Sequence, residues 1–168
     1  MKKKLMLLSI PILLFLVACT IDNTPTSKVE NLFAKYQKLD EDISEGIESI
    51  LEEQNLNNAR KDRYRAILEN QYRNLSYQIK DETIDGETAT VIVEIEVIDL
   101  KKSIDDLTYD DNIYQTKDEY DEEKLNRLEQ AEDKVKYTLE FTLRKDKNSE
   151  WVLNALTNEN IKKIQGMY

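Results

Sequence analysis

From Tyr77 to Val97 the chain alternates apolar and polar residues around Asp85-Gly86, and nothing else in it restricts the fold as tightly. A period of two belongs to strands, because successive side chains of a strand point to opposite faces. Asp-Gly between two such runs is a strong signal for a tight hairpin. The pattern predicts strands over about 76–84 and 87–99. In the second of these Ala89, Val91, Val93, Ile95 and Val97 share one face, while Thr88, Thr90, Glu94 and Glu96 share the other. One face is therefore core and the other wet, as in an antiparallel sheet covered on a single side. Ile92 and Ile98 interrupt the wet face and predict partial cover there. The carboxylates of Glu94 and Glu96 are expected to pair across strands with residues such as Lys136 or Arg144.

The same alternation returns at Val135, Tyr137, Leu139, Phe141 and Leu143, predicting a strand over about 134–145. After the polar turn 145–149, Trp151, Leu153 and Ala155 predict its partner over about 150–155. Upstream, apolar residues from Val29 to Leu51 recur at three- and four-residue spacing, which predicts one long helix over about 25–54. Its start is read either as Thr24 capping with Pro25 at the first helical position, or as a capping box of Ser27 and Glu30. Gly46 lies inside this helix and predicts a bend or a close helix contact. Asn55, Asn57 and Asn58 mark a turn, and Tyr64, Ile67, Leu68, Gln71 and Tyr72 give a second stripe over about 58–75. The short connection makes these helices an antiparallel hairpin.

The acidic stretch between the two strand pairs carries a further helix over about 121–133. A last helix over about 158–165, capped by Thr157 or Asn158, ends at Gly166. The expected architecture is α+β: a long N-terminal helical hairpin on a curved, four-stranded antiparallel sheet, built as two hairpins separated by a helical insertion, with a short C-terminal helix. Residues 28–168 form a single domain on this reading, and the strand order stays open.

The N-terminus follows a different logic. Lys2, Lys3 and Lys4 precede an apolar run from Leu5 that ends in Leu16-Val17-Ala18-Cys19. About 15 residues, interrupted by Pro11, fall short of the roughly 20 that a spanning helix requires. Cys19 is the single cysteine, so it has no disulfide partner within the chain. The segment resembles the bacterial lipoprotein signal, or lipobox. That resemblance implies recognition of Leu16, Val17 and Ala18, removal of the signal peptide 1–18, and a diacylglycerol on the Cys19 thiol. Residues 19–27 would then be a lipidated tether to the extracytoplasmic face of the cell membrane.

The helix start Thr24-Pro25-Thr26-Ser27-Lys28-Val29 is one of three stretches that carry a wider resemblance. The others are the strand start Asp85 to Val91 and the late strand Glu150-Trp151-Val152-Leu153. Together they resemble uncharacterised lipoproteins of Firmicutes, a Gram-positive group, and through them the nuclear-transport-factor-2-like (NTF2-like) or cystatin-like fold. The resemblance implies a curved antiparallel sheet wrapped on N-terminal helices; it implies no particular chemistry, because that fold hosts both enzymes and binding modules.

Charge narrows the function classes. The chain carries a formal charge of −10. Loss of the three N-terminal lysines takes it to −13, a surface that repels nucleic acid and anionic headgroups. No nucleic-acid partner is expected, and contact with the membrane is expected through the lipid. There is no histidine, so the commonest metal ligand and the commonest general base near neutral pH are both missing. No catalytic residue, metal ligand or cofactor other than the lipid is assigned.

Two clusters are weighed on their chemistry. The acids between Asp105 and Glu123 suit calcium as hard oxygen ligands, but the D-x-[DN]-x-[DN]-G spacing is missing and no glycine falls between Gly86 and Gly166. They read as a solvated face. Tyr77, Tyr137, Phe141 and Trp151 fall on inward faces, where they fill the core or line a pocket for an apolar or peptide ligand. The function expected is a non-catalytic ligand- or protein-binding domain on a membrane-anchored lipoprotein. The alternatives are an extracytoplasmic enzyme using carboxylates or tyrosine in the cone, and a structural or assembly factor of the envelope.

Overall fold

A computed structural model describes residues 23–54 and 56–168. Cys19 and the Leu16, Val17 and Ala18 that precede it lie outside the described residues, as does Asn55 in the helix-connecting turn. The chain runs through helix α1 (Pro25–Lys38), α2 (Glu41–Glu53) and α3 (Asn58–Arg73), then strands β1 (Ser76–Asp85) and β2 (Thr88–Ile98). An excursion holding α4 (Leu100–Ser103) and α5 (Lys117–Glu129) leads to β3 (Lys134–Lys145), β4 (Trp151–Leu153) and α6 (Asn158–Ile164). The fold is α+β, and the four antiparallel strands lie in the order β1-β2-β3-β4. The strand order left open by the alternation is thus a simple meander, with the excursion joining its two middle strands. Among the described residues no helix is long and apolar enough to cross a membrane.

The long first helix of the sequence reading is two helices. The break falls at Leu39, whose φ of +53° is left-handed, and not at Gly46. A leucine in that region costs about 1–2 kcal/mol, so something must hold it. The Asp40 amide donates to the Lys35 carbonyl at 3.0 Å, closing a Schellman-like turn, and the Ser44 hydroxyl donates to the Leu39 carbonyl at 3.0 Å. Lys35 reaches across the break to Asp42 at 2.7 Å. Apolar spacing runs through the break because both helices turn their stripes to the same core, which is why periodicity hid it.

At the start of α1, Thr24 accepts from the Ser27 amide while the Ser27 hydroxyl lies 3.1 Å from the Thr24 amide. The capping box is therefore Thr24 with Ser27, and Pro25 takes the first helical position. Gly166 follows the C-cap of α6 at φ +68°, as expected of a residue just past a helix end.

In the sheet, β2 pairs with β3 along its whole length, from Thr88 opposite Arg144 to Ile98 opposite Lys134. The expected cross-strand pairs form in part: Lys136 lies 3.3 Å from Glu94 and Lys134 lies 3.3 Å from Glu96. The β1–β2 loop is one residue later than the Asp85-Gly86 signal suggests, because Asp85 still pairs with Thr88. Gly86, at φ +59°, takes the first loop position, where a II′-type turn needs glycine.

Strand β1 carries a bulge between Ile79 and Asp81, which moves its inward positions from odd to even numbers. Glu82 then faces the start of α1, accepting from the Thr26 amide at 2.8 Å and its hydroxyl at 2.7 Å. A carboxylate there satisfies an orphan donor at the positive end of the helix.

The main core joins Val29, Phe33 and Tyr36 of α1 to the inward faces of β2 and β3, with Ile47, Leu51, Leu68 and Tyr72 from the other helices. A second cluster of Ile67, Leu100, Leu125 and Leu128 seals the excursion onto the opposite side of α3. Two buried polar groups tie the layers. Gln71 mimics a strand neighbour: its amide oxygen accepts from the Ile98 N–H at 3.1 Å and its Nε2 donates to the Ile98 carbonyl at 3.0 Å. Asn160 Nδ2 donates to the Glu140 carbonyl at 2.9 Å, covering the edge of β3 beyond the short β4.

Candidate functional site

Where α1 gives way to α2, the helices leave a cleft of about 300 Å³ against the C-terminal segment. Helix α1 contributes Tyr36, α2 contributes Ile43, Gly46 and Ile50, α3 contributes Tyr72, and the chain around α6 contributes Leu156, Ile161 and Gln165. Each arrives by a local rule. Ile43, Gly46 and Ile50 sit at three- and four-residue spacing along one helical face. A Cβ on Gly46 would meet nothing within 4 Å. The glycine thus permits no close helix contact, one of the two roles that its position in the sequence suggested. It costs the helix about 1 kcal/mol relative to alanine and leaves that wall of the cleft open.

The polar groups of the cleft are the phenols of Tyr36 and Tyr72, joined by Ser49, Gln165 and Asp42. Tyr36 and Tyr72 meet edge to face with centroids 5.0 Å apart. Burial pushes both hydroxyls above the ordinary tyrosine value; at Tyr72 the neighbouring Tyr36 adds to the rise and a hydrogen bond with Gln165 opposes it. Both phenols therefore stay neutral near pH 7 and serve as hydrogen-bond partners. A tyrosine acting as base or nucleophile needs the opposite shift. At the rim, Asp42 is held below the usual carboxylate range by its hydrogen bond from Lys35. The arrangement suits a small, mainly apolar group with one polar end, and 300 Å³ is at the low limit of ordinary ligand sites.

The four aromatics singled out in the sequence lie in or against one core, but each has its own neighbours. Tyr77 stacks on Phe33 with centroids 4.6 Å apart, and Phe141 meets the same ring edge-on at 5.6 Å. Tyr137 turns to the C-terminus, donating to the Tyr168 carbonyl at 3.2 Å. Trp151 lies beneath Lys145, whose ammonium is 5.0 Å from its ring. Phe141 and Trp151 belong to the main core, with Tyr77 and Tyr137 packed against it. Phe141 also lines a hollow of about 390 Å³ beside Asn154, Thr157 and Asn160, and Tyr77 a smaller one of about 150 Å³, while none of the four lines the cleft beside Gly46.

The acidic stretch is largely a solvated face, as expected, with Asp106, Asp110, Asp111, Asp118 and Glu119 exposed, and several of its acids are also ion-paired. Arg60 binds Asp118 at 2.7 Å, and Arg63 grips Glu129 through two bonds of 2.7 and 2.8 Å while also meeting Glu122 and Asn126. Arg127 holds Asp106 at 2.7 Å and Glu123 at 2.8 Å, and Lys117 holds Asp121 at 2.9 Å. Asp110 accepts from the Asn112 backbone and side chain, both at 2.8 Å. Among the described residues no group of three His, Cys, Asp or Glu side chains is placed to hold a metal ion.

Sequence reasoning overlooked Tyr36, Gly46 and Leu156 as neighbours of one cleft. The available signal was a glycine on the apolar stripe of a helix, where a missing side chain marks a groove. No family model, curated protein or solved structure matches this chain.

Proposed function

We propose that this chain is a membrane-anchored extracytoplasmic lipoprotein whose α+β domain binds a ligand or a protein without catalysing a reaction. Cys19 carries the diacylglycerol, after cleavage behind Leu16-Val17-Ala18. One observation carries the reading: the single cysteine directly ends the cationic-then-apolar N-terminal run. A sheet covered on one side by N-terminal helices is what the resemblance to the NTF2-like or cystatin-like fold requires. The cleft beside Gly46 is the binding site on this reading, since its apolar walls with a few polar groups among them, two of them neutral phenols, favour recognition. Cells fed labelled palmitate test the anchor. Wild-type protein should incorporate label and stay with membranes, and Cys19→Ser should do neither. Unlabelled wild-type protein found free in the medium would overturn the proposal.

A further inference from the structure

We infer that the anchored domain stands on the bilayer with the turn end of its sheet toward the lipid headgroups and its acidic excursion pointing away, an orientation that rests on lipidation of Cys19.

The first support is how early the chain is fastened. Asn23 clasps the β3–β4 turn: its Oδ1 accepts from the Trp151 amide at 2.9 Å and its Nδ2 donates to the Ser149 carbonyl at 3.3 Å. Pro25 is buried, and Thr26 is tied to Glu82 of β1. The tether expected over residues 19–27 is therefore only residues 20–22 long before the domain takes hold. A fully extended chain spans at most about 3.6 Å per residue, so the Cys19 Cα lies within about 14 Å of that of Asn23. The turn end cannot leave the membrane surface by more than this reach.

The second support is topology. Asp85, Gly86 and the 146–149 turn share one end of the sheet, because Thr88 pairs with Arg144 and the Lys145 amide donates to the Glu87 carbonyl at 2.8 Å. The excursion leaves from Ile98 and returns at Lys134, at the other end of the same two strands. With a rise of about 3.4 Å per residue, β2 separates the two ends by about 34 Å. That exceeds twice the tether's reach.

Charge supplies the third support and resists a domain lying on its side. Residues 99–133 hold thirteen acids and five bases, most of the chain's net charge of −10. Residues 82–88 and 144–150 hold five acids and three bases, and Lys28 adds its charge beside Asp146. Anionic headgroups repel the first end far more than the second. The outward end also bears a tyrosine trio, with Tyr120 5.6 Å from Tyr109 and 5.4 Å from Tyr114.

The test uses the full-length lipidated protein in phosphatidylglycerol–phosphatidylcholine vesicles containing a headgroup-linked quencher. Single fluorophores are placed through Lys147→Cys or Asn112→Cys, the native thiol being consumed by the lipid. A second pair, Glu87→Cys and Thr108→Cys, repeats the measurement should either first variant misfold. Labels at 147 and 87 should be quenched severalfold more than those at 112 and 108. Equal or reversed quenching on protein that has incorporated palmitate would overturn the orientation alone. Protein that never incorporates palmitate would overturn the anchor, and the orientation with it.

Discussion

Helix α1 and helix α5 are both about a dozen residues long, yet they are attached to the molecule by opposite means. Helix α1 buries Val29 and Phe33 completely, and Phe33 sits between Tyr77 and Phe141. Helix α5 buries only Leu125 and Leu128 and otherwise holds α3 through Arg60 and Arg63. Apolar burial depends weakly on salt and pH, whereas partly exposed ion pairs are screened by one and titrated by the other. The excursion is thus the part that opens first, as a local event below the free energy of global unfolding.

The largest effect expected breaks the apolar side of this comparison. Phe33→Ala should lower stability by about 3–5 kcal/mol, read from urea unfolding, with sheet and excursion lost together. A change below 1 kcal/mol would show that the ring is not the keystone of the main core. Next comes the joint between the two regions. A Cβ on Gly166 would lie 2.1 Å from the Ile98 carbonyl oxygen and 2.5 Å from Gln71 Nε2. Gly166→Ala should therefore cost about 2–3 kcal/mol, from overpacking and from a left-handed backbone that alanine resists.

On the ionic side, Arg63→Ala should cost about 1–2 kcal/mol. Hydrogen exchange should quicken across 117–133 while β2 and β3 keep their protection. Uniform loss would erase the distinction between the regions. Acid sharpens the same contrast. Asp118 is held below its ordinary 3.8 by Arg60, and Glu129 below its ordinary 4.5 by Arg63. A depressed folded-state pKa gives stability that is full above the ordinary value and lost as pH falls through the folded one. Excursion protection should hold from pH 7 to 5 and fade below about pH 4.5, ahead of the main core. The smallest effect is a gain. Gly46→Ala should add about 0.5–1 kcal/mol, since its Cβ meets open space, and a loss would mean that the cleft wall is closed.

Much of the fold was legible. The alternation around Asp85-Gly86 and from Val135 to Leu143 placed three strands to within a residue or two, because a half-buried sheet writes a period of two directly into the sequence. The Leu39 break was not legible, since its stabilising contacts come from Lys35, Asp40 and Ser44 rather than from a glycine. Helix α5 starts at Lys117, four residues before the expected Asp121, because Thr116 accepts from the Glu119 amide and caps it. Similarly, Gln71 sat among apolar residues on its helical stripe, but the peptide group that it satisfies lies 27 positions away. The aromatics were legible as inward-facing, and no periodicity says whether inward means a cavity or a filled core.

Local pattern alone therefore determined most of the helical and strand segments, which faces are apolar, and that the charge is concentrated in the excursion. These properties follow from dihedral preference and solvent exclusion, which act within a few residues. Tertiary structure alone decided the meander order, the arginine grip on the acidic helix, the cleft beside Gly46 and the clasp of Asn23 on the β3–β4 turn. Each of those joins groups distant in the chain, and their pairing is set by the packing of whole layers.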